Sequence, residues 1–390
     1  MMNYSRPKAI YFFYYAALAC LAPFMSLYYL ERGLNGAQIG ILSGAIPLVT
    51  WICAPIWGGF ADAWSRHRGI FLLAIAGLGA SGVALFFAHS FVELLLAVIA
   101  YAVFVAPIVP LTDNAVLDLL GEHKTIYGRV RLWGSVGWGL AAVIIGPILT
   151  RGGLSWSFYG FWLFLIVMFA ASYRLPMAQA AVRQSFSSAL AVLVRNGRFL
   201  LLLAASLVYG VTLGVLLSYQ FIFMEQLEAG RTLMAWTLTA MTISEIPIWL
   251  AGSGLLRRLG TSKMIATALA ATSLRYFALS FTFNPLWVLP ISLLHGPGFA
   301  MLWVAGVADA DAAAPPGLGA TAQSLYAGMM FGLGAAIGGF LGGPAYETIG
   351  FHRLFAILGW MCLGMMAAFV AARILPRYAR KIVSSEGVQP

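Results

Sequence analysis

The sequence predicts an all-α membrane protein with twelve transmembrane helices in two pseudo-symmetric six-helix bundles. Hydrophobic residues make up 61% of the chain and charged residues only 9%, whereas a soluble domain carries about 25% charged residues. A chain with so few charges cannot cover a water-facing surface. Apolar segments of about 20 residues, the length that crosses a bilayer, recur along nearly the whole chain.

The predicted spans define the domain organisation. They fall at approximately 9–30, 37–61, 69–88, 92–120, 128–150, 154–174, 198–224, 232–256, 263–283, 286–310, 318–345 and 351–373. One long polar interruption lies near the middle, and spans 5 and 11 share a Gly-rich pattern that is typical of a duplicated unit. We therefore predict an N-terminal bundle over 1–174, a cytosolic linker over 175–197, a C-terminal bundle over 198–373 and a cytosolic tail over 374–390.

The distribution of basic residues predicts that both termini are cytosolic. Eighteen Lys and Arg residues then fall in inner segments, Arg275 falls within a span, and four fall in outer loops: Arg32, Arg151, Arg231 and Arg353. This asymmetry is the positive-inside pattern of membrane proteins. It also accounts for the net charge of +10 without a nucleic-acid partner.

The loop after span 2 carries Asp62, Arg66 and Arg68. Asp62 ends one helix and can cap it or pair with the two arginines at the cytosolic face. Such a contact would latch neighbouring helices in one conformational state, so we predict a gating role. The alternative interpretation is an ordinary basic inner loop, which topology alone would produce.

The N-terminal half offers candidates for a solute cavity. Span 4 carries Asp113 and Asn114, about ten residues from its inner end. Arg129 and Arg131 of span 5 could reach Asp113 or Asp118, although inner-end arginines also follow from topology. From the many aromatic and polar residues of the spans, we add Tyr14 of span 1 and Gln323 of span 11 as cavity candidates.

Three ionisable residues share one depth in the C-terminal half. Glu245 of span 8 and Arg275 of span 9 are each twelve residues from the inner end of their span, or about 18 Å at 1.5 Å per residue. His295 of span 10 lies about 15 Å from the outer end. Intramembrane ionisable groups are costly and point to function. The alternative is a buried ion pair with a packed histidine, which adds little net stability.

These residue types suit proton coupling. Burial favours the neutral form of a carboxyl group, whereas a nearby arginine favours the carboxylate, so movement of Arg275 relative to Glu245 would switch proton binding. Arginine itself keeps its proton. A histidine titrates near neutral pH and could relay the proton or bind the solute.

The residues after His295 predict a break in span 10. Gly296, Pro297 and Gly298 lie in mid-span, and proline removes a helix hydrogen bond and clashes with the preceding turn. Broken helices near the midplane form binding sites in transporters. A simple proline kink remains the alternative.

The loop with Gly58, Asp62, Arg66 and Arg68 resembles the loop 2–3 signature of the major facilitator superfamily, with Ser65 where that family usually has Gly. The stretches "YGRVRLWGSVGWGL", "LLHGPGF" and "TAQSLYAGMMFGLGAAIGG" resemble the bacterial 3-phenylpropionate permease group, which is similar to lactose and nucleoside proton symporters. The resemblance implies the major facilitator fold and proton symport of a small organic solute such as an aromatic acid. It also implies proton-coupling roles for Glu245, Arg275 and His295, as in the similar set of lactose permease.

Other functions are weighed against this prediction. A proton-coupled drug or metabolite exporter of the same fold is one alternative, although Gly146–Pro147 matches the antiporter motif only in part. A sugar or nucleoside symporter is another. A membrane enzyme lacks support because we find no metal-ligand cluster, phosphate loop or nucleophile–base set. We expect no cofactor or metal, a solute, protons and the bilayer as partners, a functional monomer, and a location in a bacterial inner membrane.

Overall fold

The computed structural model describes residues 5–64, 66–121, 126–173, 193, 195–315 and 318–373, with the side chain of Asp62 left out. Within these ranges the chain is helical and contains no strand. The predicted tail and most of the predicted linker lie outside the described residues, as do Ser65 and Lys124. The all-α class is confirmed for the described part of the chain.

In the described residues, eight helices precede the linker: α1 (Ser5–Leu21), α2 (Met25–Glu31), α3 (Gly36–Trp64), α4 (His67–Phe87), α5 (Phe91–Val105), α6 (Ile108–Leu120), α7 (Tyr127–Gly152) and α8 (Ser155–Ser172). Six follow it: α9 (Gly197–Gln226), α10 (Arg231–Ser280), α11 (Val288–Ser292), α12 (His295–Ala313), α13 (Gly319–Ala327) and α14 (Ala335–Arg373). Short 3-10 turns occupy Ala22–Phe24 and Pro285–Trp287, and a π-helical segment, Gly328–Gly334, joins α13 to α14.

Two helices are interrupted by a glycine. Gly260 of α10 has φ 72° and Gly350 of α14 has φ 79°, and both positions are non-helical. This left-handed region favours glycine, which has no Cβ. We call the arms before and after these glycines α10a and α10b, and α14a and α14b.

The helices form a multi-pass membrane protein. In lipid each backbone polar group must be satisfied within the protein, which helices achieve. Ten helical stretches of the described chain are long and apolar enough to cross a membrane. Two of them, Arg231–Ser280 and Gly319–Arg373, contain 50 and 55 residues, whereas one crossing needs about 20. These two stretches are the ones that Gly260 and Gly350 interrupt.

The helices before and after the linker meet at one end through glycines. We call the end with the Gly33 and Gly153 turns the outer end, following the predicted orientation, and the opposite one the inner end. A Cβ on Gly343 of α14a would lie only 1.8 Å from the Gly36 carbonyl oxygen of α3. A Cβ on Gly339 would likewise lie 2.7 Å from the Gly44 backbone. We call this contact of α3 with α14a the outer seal.

Polar contacts accompany the outer seal. Glu347 Oε1 of α14a accepts a hydrogen bond from the backbone N–H of Gly36 at 2.5 Å. The hydroxyl groups of Thr150 on α7 and Thr232 on α10a are 3.0 Å apart. The Thr239 hydroxyl donates to the Gly139 carbonyl at 3.1 Å. The helix pairs α3/α14a and α7/α10a therefore both close at the outer end.

Toward the inner end, the same helices carry glycines with open space around them. Gly59 of α3, Gly128 of α7 and Gly254 of α10a have no atom within 4 Å of an added Cβ. Between the two ends, Trp51 of α3 packs against Gly328 and Gly332 of the π-helical segment. The two sets of helices thus touch from the outer end to about the midplane.

Candidate functional site

The break in the span that holds His295 occurs one turn earlier than predicted. Helix α11 ends at Ser292, a turn occupies Leu293 and Leu294, and α12 begins at His295. Gly296, Pro297 and Gly298 therefore lie in the first turn of α12 rather than at the break. The physical reason is that Pro297 lacks an N–H and its ring clashes with the carbonyl one turn back, while the first helical turn tolerates it.

The two glycines around Pro297 allow α12 to enter between both arms of α10. A Cβ on Gly296 would lie 2.1 Å from the Ser244 carbonyl oxygen of α10a, and a Cβ on Gly298 would lie 2.7 Å from Thr272 Oγ1 of α10b. The Gly296 N–H also donates to Ser244 Oγ at 2.9 Å. This close packing brings His295 next to residue 245 on one side and residue 275 on the other.

His295 lies between Glu245 and Arg275. His295 Nε2 is 3.3 Å from Glu245 Oε1, and Arg275 Nη1 is 2.8 Å from His295 Nδ1. The structure thus brings together the three residues predicted from depth. It differs from the direct acid–arginine pair that equal depth suggested, because the imidazole ring occupies the space between the two helical arms.

Arg275 is only 3% exposed, and its hydrogen-bond partners are His295 and Gln220. Besides His295, it donates from Nη2 to Gln220 Oε1 of α9 at 3.2 Å. The Gln220 amide in turn donates to Thr237 Oγ1 at 3.1 Å. Arg275 Nε is buried without a hydrogen-bond partner. A small cavity adjoins Arg275 and His295, and its other lining residues include Tyr209, Thr212, Thr272 and Tyr276.

Aromatic side chains enclose the Glu245 side of this cluster. Trp249, one turn after Glu245 on α10a, donates from Nε1 to Glu245 Oε2 at 3.1 Å. Phe299 stacks on His295, with ring centroids 5.4 Å apart, and packs edge-on against Trp249 at 6.3 Å. Phe331 of the π-helical segment lies against Phe299. Sequence reasoning missed Trp249, although its spacing of four residues from Glu245 places both on one helix face.

A second cluster surrounds Asp113 in the N-terminal helices. The Tyr11 hydroxyl donates to Asp113 Oδ1, and Tyr127 is also close to this carboxylate. Arg131 donates to the Tyr15 hydroxyl, and its guanidinium lies over the Tyr15 ring at 4.3 Å and the Tyr11 ring at 5.3 Å. Tyrosines therefore connect the acid to the arginine. Sequence reasoning selected only Tyr14 from the run "YFFYY" of span 1, which also contains Tyr11 and Tyr15.

The remaining cavity candidates are placed apart from one another. Asn114 is exposed, whereas Tyr14 is buried and packs edge-on against Tyr15. Gln323 lies near the inner end and its amide is 3.3 Å from Asp311 Oδ1. The structure brings Tyr14 close to the Asp113 cluster through Tyr15, and it does not bring Gln323 to either cluster.

A third cluster lies at the inner end of the C-terminal helices. The Asp309 side chain is fully buried and accepts from Arg198 at 2.6 Å and from Arg373 at 2.5 and 2.8 Å. Thr261 donates to the same carboxylate at 2.9 Å. The carboxylate thus joins α9, α10b, α12 and α14b. Its oxygens are fully used, which favours a structural role over solute binding.

The predicted latch is only partly described. Arg66 precedes α4 and is exposed, and the Arg68 guanidinium lies over the Tyr173 ring at 4.9 Å. The side chain of Asp62 is outside the described part of the chain. Within the described residues, no group of three or more His, Cys, Asp or Glu side chains is arranged to hold a metal ion.

Apolar helices that enclose buried charged clusters are typical of membrane transporters, and comparison with known proteins agrees. The model of the MFS_1 like family matches residues 4–357, so the chain belongs to that family. Its predicted membership of the major facilitator superfamily is confirmed.

Three similar proteins are all transporters. The maltose permease of Geobacillus stearothermophilus is 29% identical over 92% of this chain and 93% of its own length. The probable 3-phenylpropionic acid transporter of Escherichia coli (strain K12) is 25% identical over 94% of this chain and 96% of its own. The crystal structure of the nucleoside transporter NupG matches with a TM-score of 0.82 over 95% of this chain and 99% of that chain. Its 16% identity makes that likeness one of fold alone. These relatives support a transporter and not an enzyme.

Proposed function

We propose that this protein is a proton-coupled secondary transporter that takes up a small organic solute by alternating access. The observation that carries the proposal is the buried series Glu245–His295–Arg275, in which neighbouring side chains are 3.3 and 2.8 Å apart. Charged side chains within membrane helices are expensive and are retained where they serve a pathway or a switch.

The contacts of His295 indicate which of its two ring nitrogens carries the hydrogen. Arg275 can only donate, so His295 Nδ1 accepts and is unprotonated. His295 Nε2 then carries the hydrogen and donates to the Glu245 carboxylate, an assignment that follows from the hydrogen-bond pattern. A proton that arrives at Glu245 removes its charge and weakens the bond from His295. A proton that binds His295 Nδ1 makes this nitrogen a donor. It then faces the N–H donor of Arg275, so the hydrogen bond between them is lost and Arg275 is repelled.

Two six-helix bundles provide the moving parts in this proposal. The stretches Arg231–Ser280 and Gly319–Arg373 each count as two crossings, separated at Gly260 and Gly350, so the ten stretches give twelve. The bundles comprise residues 1–174 and 198–373, with a linker over 175–197 and a tail over 374–390. Both termini face the cytosol of a bacterium whose inner membrane holds the protein as a functional monomer. Asp62, Arg66 and Arg68 act as the gating latch at the cytosolic face.

The described conformation supports an inward-open state. The outer seal closes the outer end through Gly36 and Gly343, whereas Gly59, Gly128 and Gly254 have free space around them toward the inner end. Alternating access then requires the outer seal to open when the inner end closes. The π-helical segment between α13 and α14a is a candidate hinge for that step.

The cargo proposed first is an aromatic acid of the 3-phenylpropionate type. Phe299 and Phe331 offer aromatic surface beside the coupling residues. The relative named as a probable 3-phenylpropionic acid transporter supports this choice. Asp113 and Asn114, with Tyr14 and Gln323, are the proposed solute contacts.

A neutral polyhydroxylated solute, such as a sugar, is a second candidate cargo. It is favoured by the contacts that Arg275 and Arg131 already make. Arg275 is buried and donates to His295 and Gln220, and Arg131 is engaged by Tyr15. Arg275 is therefore closed to a solute carboxylate in this state, and Arg131 has one of its donors engaged by Tyr15. Asp113 and Glu245 already accept hydrogen bonds from Tyr11, His295 and Trp249, but a carboxylate has about four acceptor sites and can also accept from solute hydroxyl groups. The maltose permease relative is consistent with this candidate.

Uptake into proteoliposomes tests the function. Purified protein is reconstituted, an inward proton gradient is imposed, and labelled 3-phenylpropionate, maltose and uridine are offered separately. We expect the gradient to drive accumulation of one of these solutes above equilibrium, and a protonophore to abolish it. Absence of stimulation for every solute, together with release of preloaded solute driven by the same inward proton gradient, would establish an exporter instead.

A further inference from the structure

Glu245 has a second hydrogen-bond donor that the coupling scheme leaves without a role. Its Oε1 faces His295 Nε2 at 3.3 Å, and its Oε2 accepts from Trp249 Nε1 at 3.1 Å. We propose that Trp249 is a positioning residue that sets the pH at which Glu245 takes up its proton. This inference rests on the proposed function, because it assigns a role within proton coupling.

The geometry holds the indole ring on the carboxylate. Trp249 lies four residues after Glu245 on α10a, the spacing that places two side chains one above the other. Phe299 packs edge-on against Trp249 and stacks on His295. One phenyl ring of α12 therefore orients both rings that donate to Glu245.

The chemistry of the indole makes this bond sensitive to protonation. An indole N–H can donate but cannot accept. A hydrogen bond to an ionised acceptor is about twice as strong as one to a neutral acceptor. Trp249 thus stabilises the carboxylate over the carboxylic acid and opposes proton loading while the contact lasts. Movement of Phe299 with α12 would release the indole and favour loading.

Other groups near Glu245 do not duplicate this role. In the described part of the chain, the titratable or charged groups that face Glu245 are Tyr209 of α9, His295 of α12 and, beyond the imidazole, Arg275 of α10b. His295 can exchange its own proton, and Arg275 reaches Glu245 only through His295. Trp249 donates to the Glu245 carboxylate and, unlike His295, does not titrate.

The pH dependence of proton-driven uptake tests the proposal. The pH of half-maximal uptake does not depend on how much protein is active, so partial loss of folded protein leaves it unchanged. We expect Trp249→Phe to shift this midpoint upward by about one pH unit, a tenfold change in proton affinity. Trp236→Phe, an exposed position on the same helix arm, is the matched control and should keep the wild-type midpoint.

A second replacement separates the loss of the N–H group from the change in side-chain size that Trp249→Phe also causes. Site-specific exchange of Trp249 for 3-benzothienylalanine keeps the bicyclic shape and replaces the N–H by sulfur. We expect the same upward shift. A wild-type midpoint in this variant would overturn the proposal, even if Trp249→Phe were inactive. Uptake by the wild type without any proton dependence would overturn the proposed function itself and is a different result.

Discussion

The Gly296 backbone of α12 lies directly against the Ser244 backbone of α10a. A Cβ at residue 296 would be 2.1 Å from the Ser244 carbonyl oxygen, and Ser244 Oγ accepts from the Gly296 N–H at 2.9 Å. Because His295 and Glu245 are the chain neighbours of these two residues, this contact determines how closely they approach.

Gly296→Ala should therefore separate His295 from Glu245. The added methyl group forces α12 away from α10a, and overpacking of this kind costs about 1–3 kcal/mol. We expect loss of proton-driven uptake and a lower thermal unfolding midpoint in detergent. Gly254→Ala on the same arm meets no atom within 4 Å and serves as the control. Equal uptake and stability in the two variants would contradict the packing argument.

Arg275→Lys should be poorly tolerated although it keeps the charge. Arg275 uses two nitrogens, one toward His295 Nδ1 and one toward Gln220 Oε1. A lysine ammonium is a single point and cannot make both contacts in this geometry. We expect at least about a tenfold loss of initial uptake rate, measured with labelled solute. Arg151→Lys, at an exposed outer position, should transport normally, and a normal rate for Arg275→Lys would show that charge alone suffices.

Asp113→Asn should weaken solute binding without changing the proton dependence. Asp113 accepts from Tyr11 and lies near Tyr127, and it belongs to a cluster separate from Glu245. Loss of a charged acceptor should raise the KM of uptake about tenfold and leave the pH midpoint in place. Asp118→Asn, on an exposed face of the same helix, is the control. A shifted midpoint with an unchanged KM would assign Asp113 to proton coupling instead.

Gly343→Ala should open the outer end. The new methyl group would lie 1.8 Å from the Gly36 carbonyl oxygen, so the outer seal cannot form without displacement of α3 or α14a. We expect a cysteine introduced at Ser43, within the seal, to react several times faster with a membrane-impermeant maleimide applied from outside. Gly364→Ala, which has open space, should leave the labelling rate unchanged. Slow labelling in both backgrounds would argue against closure at this contact.

Sequence reasoning predicted the helical membrane fold and the residues of the Glu245–His295–Arg275 cluster, because the signals are strong and local. Apolar segments and the depth of Glu245 and Arg275 can be read directly from spacing. The position of His295 between Glu245 and Arg275 could not be predicted from spacing, because it depends on where α12 enters between the arms of α10. Pro297 signalled a broken helix, but the break falls at Leu293 and Leu294, since a proline disturbs the turn before it.

Other features required three-dimensional contacts. The pairing of Tyr11 with Asp113, and of Tyr15 with Arg131, joins residues more than 100 positions apart. The outer seal depends on glycines from α3 and α14a, which in sequence are only part of an abundant residue type. The π-helical segment has no sequence signal that distinguishes it from an ordinary Gly-rich helix.

Simultaneous measurement of solute and proton entry tests the central claim most directly. Proteoliposomes that contain a pH-sensitive dye receive an inward gradient of the transported solute and no imposed proton gradient. We predict that the lumen acidifies as solute enters through the wild type. In Glu245→Gln, whose side chain imitates the protonated acid, solute should equilibrate without acidification. Glu228→Gln, in an outer turn, should behave like the wild type. Acidification through Glu245→Gln at the wild-type proton-to-solute ratio would contradict the account.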